Sequence, residues 1–408
     1  MPGSTDAVIW ETHVRDFSVN ADSGISAANR GKYLAFTERG TTVNGEGKIA
    51  TGIDYLSDLG VNYIHLLPAQ DFVNNEASND YNWGYSTKNY FVPEGSYATN
   101  PADGCCRIRE FKEMVQSLHQ SDIGVVMDVV YNHTGVTENS WFNLTVPKYY
   151  YRLDENGNFL DRTLCGNETA SERTMFRKYM IDSLLYWAKE YHIDGFRFDL
   201  MAIHDTETMN AIRRALDGAG LSNVILYGEP WYATNNDSEL APGYLASNKK
   251  NAHALDDRIA MFNSYTRTGI IGGLDGSATG FVQGGVPAVT GLAAEGTSDS
   301  LMSAIAASSN QSWGTESSPA WARNPSQSLS YTSCHDDCTL YDWLFNSIYG
   351  APANKNEYGR RDEMLVSMNK LAALINLTDQ GSVLFQLGEE FARTKSPATA
   401  TAIKAQIR

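Results

Sequence analysis

Four acidic residues sit at the ends of short apolar runs: Asp128 in VVMDVVYNH, Asp199 in GFRFDL, Glu229 in ILYGEPW and Asp336 in YTSCHDD. One such carboxylate means little, because Asp is also a good helix N-cap. Four around one cavity are costly to desolvate unless they bind a metal, pair with cations or act on a substrate. Arg197 precedes Asp199 by two residues and shares its side of an extended chain, where its charge is expected to keep that carboxylate ionised as a nucleophile. Glu229 has no cation at the equivalent spacing and is followed by Pro230 and Trp231, surroundings expected to raise its pKa and favour the protonated acid. One charged and one protonated carboxyl is the working pair of a glycosidase. His133 and His335, each beside one of these segments, could hydrogen-bond sugar hydroxyls or could be satisfied loop histidines.

A divalent-metal hydrolase would draw its ligands from Asp128, His133, Asp199, His204 and Asp336. The spacing argues against it. The chain holds no HExxH and no CxxC, and Cys334 and Cys338 around His335 read better as buried small hydrophobes than as ligands. The aromatic cluster YNWGY (81–85), which contains Trp83 and Tyr85, is followed by Tyr90 and Tyr97. Rings presented at a barrel mouth stack on the apolar faces of sugars, and a sugar platform is the expectation here.

The elements that must position these groups are short and β-branched. AVIWETHV (7–14), VNYIHLLP (61–68), GVVMDVVY (124–131), DGFRFDL (194–200) and NVILYGE (223–229) read as buried parallel strands, and ALDDRIAMFNSY, SLSYTSCHDD and SVLFQLGEEF supply three weaker ones. Helical spacing lies between them. It runs from Glu172 to His192 through Phe176, Met180, Leu184, Trp187 and Tyr191, with a capping box expected at Thr169 and Glu172 and Ser171 as a second N-cap candidate, and again from Ile108 to Gln120. About eight strand slots alternating with helices predict a (β/α)8 barrel, whose carboxyl-terminal strand ends converge on one mouth. No GxGxxG opens a helix after the first strand and no GxxxxGK[ST] occurs, so nucleotide binding has no support. The polar segments 69–107 and 131–171 are too long for simple connectors and are expected to carry sites, and 272–320 is mildly rich in Gly, Ala and Ser.

The formal charge of −16 disfavours nucleic acid and anionic lipid as partners and suits a neutral, polyhydroxylated ligand. Five cysteines, an odd number spread along the chain, imply no disulfide framework. No basic segment followed by an apolar one opens the chain, and no stretch reaches membrane-spanning length. The expectation is a monomer with no membrane or nucleic-acid partner, cytoplasmic if the chain is complete.

Taken in order, DVVYNH (128–133), GFRFDLM (195–201), YGEPW (227–231) and SCHDD (333–337) resemble the four ordered motifs of the alpha-amylase superfamily of glycoside hydrolases. VIWETHVRDFS, YNWGY with NYFVPEGSYATNP, and TASERTMFRKYMIDSLLYWAKEYHIDGFRFDLM narrow the resemblance to the type I pullulanases. The resemblance implies Asp199 as nucleophile, Glu229 as general acid/base and Asp336 as the carboxylate that stabilises the distorted sugar. It places Asp128, His133, Arg197 and His335, with the rings of Trp83, Tyr85 and Trp231, on an α-glucan substrate. The implied reaction is hydrolysis of α-1,6 linkages in pullulan, amylopectin or glycogen-derived glucans with retention, the two carboxyl groups about 5 to 5.5 Å apart. An α-1,4-acting amylase, an isoamylase-type debrancher and a glucan-binding barrel without turnover are the alternatives.

No cofactor is required on this reading. Calcium is sometimes bound in the superfamily, with Asn132 and the acidic loops as oxygen donors. Ser86 and Asp337 depart from the family pattern, and Asp337 is expected to raise the pKa of Asp336 by repulsion. Residues 1–408 are expected to form one catalytic barrel, truncated after the eighth strand in VLFQLGEEFARTK, without an N-terminal carbohydrate-binding module or a C-terminal β-sandwich.

Overall fold

The computed structural model describes residues 3–78, 80–234, 240–273, 278–284, 293–294, 298–314, 318–350 and 361–395. The tail 396–408 and part of the 272–320 stretch lie outside the described residues. Each predicted strand forms: β1 (Val8–Thr12), β2 (Tyr63–Leu66), β3 (Gly124–Val129), β4 (Gly195–Phe198), β5 (Ile225–Gly228), β6 (Ile259–Phe262), β7 (Ser328–Tyr331) and β8 (Ser382–Gln386). They hydrogen-bond in the order β1-β8-β7-β6-β5-β4-β3-β2 and close into a barrel. Helices α1 (Gly52–Leu59), α2 (Gly104–His119), α3 (Thr174–Glu190) and α4 (Thr206–Gly218) alternate with the first five strands. Between β5 and β6 the described residues hold only a short 3-10 turn, Lys249–Ala254.

The backbone divides into two compact units, one of residues 13–261 and one of residues 4–12 with 262–408. In the first, β2 to β5 pair in parallel register, with Asp128 opposite Arg197 and Arg197 opposite Tyr227. Every residue of these four strands is buried, as expected of strands covered on both faces. Helix α3 packs Phe176, Met180, Leu184 and Trp187 inward, and Trp187 Nε1 donates to the Tyr90 carbonyl at 2.8 Å.

The start of α3 departs from the expected capping box. Its N-cap is Arg173, without a side-chain cap, because Thr169 Oγ1 donates to the Tyr131 carbonyl at 2.6 Å and Ser171 Oγ donates to Asp205 Oδ2 at 2.7 Å. Tertiary partners took both hydroxyls. Helix α2 begins earlier than predicted, capped by Asp103, whose Oδ1 accepts from Cys105 N at 2.9 Å.

Neither long loop is featureless. Segment 69–107 contains an antiparallel hairpin of Gln70–Phe72 with Thr87–Pro93 and the first turn of α2. Segment 131–171 is tied down by buried charge: Glu168 bonds Arg162 and lies 3.5 Å from Arg152, and Asn167 Oδ1 accepts from Thr134 N at 3.0 Å. In the second unit β8 lies between β1 and β7. Helices α5 (Ser264–Ile271), α6 (Leu340–Tyr349) and α7 (Glu363–Thr378) share a core that includes Ile270, Leu340, Leu344, Leu365 and Ala372. Among the described residues no helix is long and apolar enough to cross a membrane.

Candidate active site

In the first unit, Asp128 ends its strand one residue short of the carboxyl terminus of β3, and Asp199 and Glu229 directly follow β4 and β5. The ladder continues beneath them, with Asp199 N donating to Val129 O at 3.2 Å and Glu229 N to Phe198 O at 3.1 Å. Arg197, fully buried, lies at the centre. Its Nη1 is 3.1 Å from Asp128 Oδ1 and 2.8 Å from Asp199 Oδ1, and its Nη2 is 2.5 Å from Glu229 Oε1. Glu229 has no cation at the equivalent spacing on its own strand, as read from the sequence, but Arg197 reaches it from the neighbouring one. Spacing along one strand could not reveal a fork that spans to the neighbouring strand.

Arg197 stays protonated well above its ordinary range, held there by Asp128, Glu229 and Asp199 against the opposing effect of burial. A single guanidinium does not by itself neutralise three carboxylates. Accordingly Asp199 is pushed above the ordinary carboxylate range by desolvation, with Asp128 adding to the rise and Arg197 opposing it. Arg197 favours the ionised form of Asp199, as expected from the sequence, while burial and Asp128 act against it.

Two further groups grip the pair. Asn132 Nδ2 donates to the Asp199 carbonyl at 2.9 Å and to Asp199 Oδ2 at 2.7 Å, while Asn132 Oδ1 lies 2.6 Å from His133 Nδ1. The side chain read as a calcium ligand is thus committed to neighbours. Leu200, in the left-handed region at φ 40, donates its N–H to Glu229 Oε2 at 2.8 Å. A non-glycine residue held there costs free energy, and the return is an amide aimed at a carboxylate. Gly228 explains how the chain comes so close: a Cβ there would meet Phe198 O and Met201 Cβ at 2.7 Å.

Tyr85 OH donates to Asp128 Oδ2 at 2.8 Å, and the Tyr85 ring lies 5.9 Å from the Arg197 guanidinium and edge-on to Trp83. Trp83, Tyr85 and Trp231 are half-buried, which leaves ring surface for a ligand. Tyr90 and Tyr97, placed on the same platform by sequence, are core residues instead: Tyr90 OH donates to the His133 carbonyl at 3.0 Å, and Tyr97 OH is 3.0 Å from His13 Nε2. His133 is buried, and burial pushes its imidazole below the ordinary value. His65, overlooked in the sequence although it lies on β2, stands 3.4 Å from Asp128 Oδ2.

His335 and Asp336 belong to the second unit. His335 is buried, its Nδ1 2.8 Å from Glu11 Oε1 on β1 and its Nε2 3.7 Å from a half-exposed Asp336. Asp337 takes the left-handed conformation at φ 58, and its own carboxyl is pushed up by burial first and Asp336 second. Lys395 Nζ donates to the His335 carbonyl at 2.6 Å and to the Asp337 carbonyl, and Lys395 N donates to Asp342 Oδ2 at 2.7 Å. A backbone carbonyl clasp of this kind leaves no signature in sequence spacing.

Among the described residues no group of three or more His, Cys, Asp or Glu side chains is placed to hold a metal ion. His204, one of the rings considered for such a set, is buried in the first unit and pushed down to about 3 by burial, with Arg152 adding to the fall. None of the five cysteines is disulfide-bonded, and Cys334 and Cys338 are half-buried, not fully buried as read from the sequence.

A family model described as "Alpha amylase, catalytic domain" matches residues 36–158. The pullulanase of Bacillus subtilis (strain 168) is 40% identical over 398 residues, which is 96% of this chain and 50% of that protein. Pullulanase 1, chloroplastic, of Arabidopsis thaliana is 30% identical over 467 residues, 96% of this chain and 46% of its own length. The chain thus spans about half the length of the curated relatives it matches.

Among solved structures, the apo pullulanase of Paenibacillus barengoltzii superposes with a TM-score of 0.86 at 39% identity, covering 100% of this chain and 58% of that one. The type I pullulanase of Bacillus subtilis str. 168, complexed with maltose, gives 0.85 at 36% identity, covering 99% and 52%. A closed eight-stranded parallel barrel with carboxylates at its strand ends is thus matched along nearly the whole chain by pullulanases in sequence and in three dimensions, and over residues 36–158 by the alpha-amylase catalytic-domain model.

Proposed function

We propose that this chain is the catalytic barrel of a debranching glycoside hydrolase that cleaves α-1,6 linkages in pullulan, amylopectin or glycogen-derived α-glucans with retention of configuration. The observation that carries the reading is the Arg197 fork, which bonds Asp199 through one nitrogen and Glu229 through the other. Carboxyl groups drawn together by adjacent prongs of one guanidinium favour the short separation of retaining enzymes, about 5 to 5.5 Å, over the wide gap that admits a water in inverting ones. The maltose complex of the Bacillus subtilis relative supports an α-glucan as substrate.

Asp199 attacks the anomeric carbon while Glu229 delivers its proton to the departing glycosidic oxygen. The covalent glycosyl-enzyme is then released by water, from which Glu229 takes a proton. Asp336 stabilises the distorted, oxocarbenium-like sugar, assigned by its place in SCHDD. Asp128 and Arg197 hold the two reacting carboxyls in register, His133 and His335 bind hydroxyls, and Trp83, Tyr85 and Trp231 stack on the rings.

Leu200 N holds one Glu229 oxygen and Arg197 the other, which fixes the carboxyl that gives its proton to the glycosidic oxygen and then takes one from water. The test is release of maltotriose from pullulan, followed by chromatography, with Asp199→Asn and Glu229→Gln as paired variants. Maltotriose from the parent alone, with losses on the order of a thousandfold or more in both variants, supports the roles. A folded parent that releases no sugar overturns the catalytic reading.

A further inference from the structure

A second cavity in the first unit has the chemistry of a sugar site and shares no residue with the carboxylate cluster. It measures about 550 Å³, within the range of small-molecule sites. Its lining combines the rings of Tyr90, Trp141, Phe142, Tyr150 and Tyr179 with amides and hydroxyls from the two segments around Thr87 and Asn139. Lys88 is the single charged residue in that lining, on a chain whose formal charge is −16. A lining so depleted in charge suits neither an ionic ligand nor a nucleic acid.

Two details point to a ligand. Thr87 is 3% exposed, lines the cavity, and its hydroxyl finds no hydrogen-bond partner among the described residues. An orphaned buried hydroxyl is destabilising unless something satisfies it. Trp141 stands at the rim with 63% of its surface exposed, the first residue of a short helix (Trp141–Thr145) capped by Ser140, so its indole is held on a fixed backbone and still open to solvent. Exposed aromatic face, neutral amides and one hydroxyl awaiting a partner together match a polyhydroxylated ring with apolar C–H faces.

We propose that this cavity binds a second stretch of α-glucan, away from the bond being cleaved, with Trp141 as the stacking platform and Thr87 as a hydroxyl partner. The inference rests on the α-glucan reading above. The two sites are linked by continuous chain: Tyr85 and His133 serve the carboxylate cluster, and Thr87 to Tyr90, Thr134 to Val136 and Asn139 to Phe142 line the cavity. A polymer held at the cavity is thereby kept near the reacting centre, which raises its local concentration there.

The test is mobility of the purified chain in native gels cast with increasing amylopectin, run for the parent and for Trp141→Ala, Trp141→Phe, Thr87→Val and Leu144→Ala. Leu144 is exposed but outside the cavity and serves as the control. The expected result is an apparent dissociation constant about tenfold weaker for Trp141→Ala, equivalent to about 1.4 kcal/mol, with most of the retention restored by Trp141→Phe and none lost by Leu144→Ala. Thr87→Val should bind more weakly and yet melt at a higher temperature, because it removes the orphaned hydroxyl; a purely structural role would move both the same way.

Parent-like retention in Trp141→Ala, or a parent that amylopectin does not slow, overturns the site. The companion pullulan assay separates the two readings. Retention lost in Trp141→Ala by a parent that releases no sugar upholds the cavity and sinks the catalytic assignment, and maltotriose release with unchanged retention does the reverse.

Discussion

Asn132 holds Asp199 at two points, its Nδ2 reaching the backbone carbonyl at 2.9 Å and the carboxylate Oδ2 at 2.7 Å. The second bond stabilises the ionised carboxyl and pulls its pKa down, against the burial that pushes it up. Asn132→Ala should therefore move the acid limb of the pH profile of kcat/KM to higher pH and lower turnover at neutral pH by about tenfold, the equivalent of one lost charge-assisted bond. A pH–rate profile of both proteins on pullulan checks it; an unmoved acid limb would count against Asp199 as the group that must be ionised.

Lys395 should matter out of proportion to its distance along the chain from Asp336. By donating to the carbonyls of His335 and Asp337, its ammonium fixes the turn that presents Asp336, and Asp337 sits in a left-handed conformation that needs such support. Lys395→Met is expected to lower kcat about tenfold with little change in KM, and Lys395→Arg to recover part of the loss. A change confined to melting temperature would show the clasp to be structural only.

The buried charges of segment 131–171 make a stability prediction. Glu168 is inaccessible to solvent and faces Arg152 and Arg162, themselves nearly buried. Glu168→Ala leaves guanidinium groups in low dielectric without that partner, and removal of one member of such a set costs about 3–5 kcal/mol. Chemical denaturation should show a loss of that size, whereas Glu46→Ala, whose partner Lys48 is exposed, should change stability by less than about 1 kcal/mol.

Asp379 predicts the direction of a pH effect. Burial raises its carboxyl from 3.8 to about 7, opposed by a hydrogen bond from Ser330 Oγ at 2.6 Å to its Oδ2. The folded state binds this proton more tightly than the unfolded chain, so the contribution is intact below the ordinary pKa and is lost as pH rises through about 7. Between pH 4 and 8 the melting temperature of the parent should fall relative to that of Asp379→Asn. A parallel course for the two proteins would show that Asp379 is ionised already at low pH.

Strand positions were legible because most barrel strands are short runs buried on both faces, β-branched in VVMDV and aromatic in GFRF, and a run of that kind has few other uses. The carboxylates were legible because they follow such runs. The partnerships were not: Arg197 to Glu229, Asn132 to Asp199 and Leu200 N to Glu229 all join different strands or loops, and Thr169 and Ser171 lost their capping role to Tyr131 and Asp205. Local pattern sets where the backbone runs extended. Contacts between residues far apart in sequence set which proton goes where.

Strand β1 pairs with β8, Val8 against Val383, so one of its two neighbours in the closed barrel emerges from the ribosome more than 370 residues later. At about 5–20 residues per second, the first strand waits between roughly 20 and 75 seconds for that partner. During synthesis the open edge of the segment carrying Ile9 and Trp10, which end up buried, must be kept from pairing with other extended chains, so strand β1 is a natural point of engagement for a chaperone.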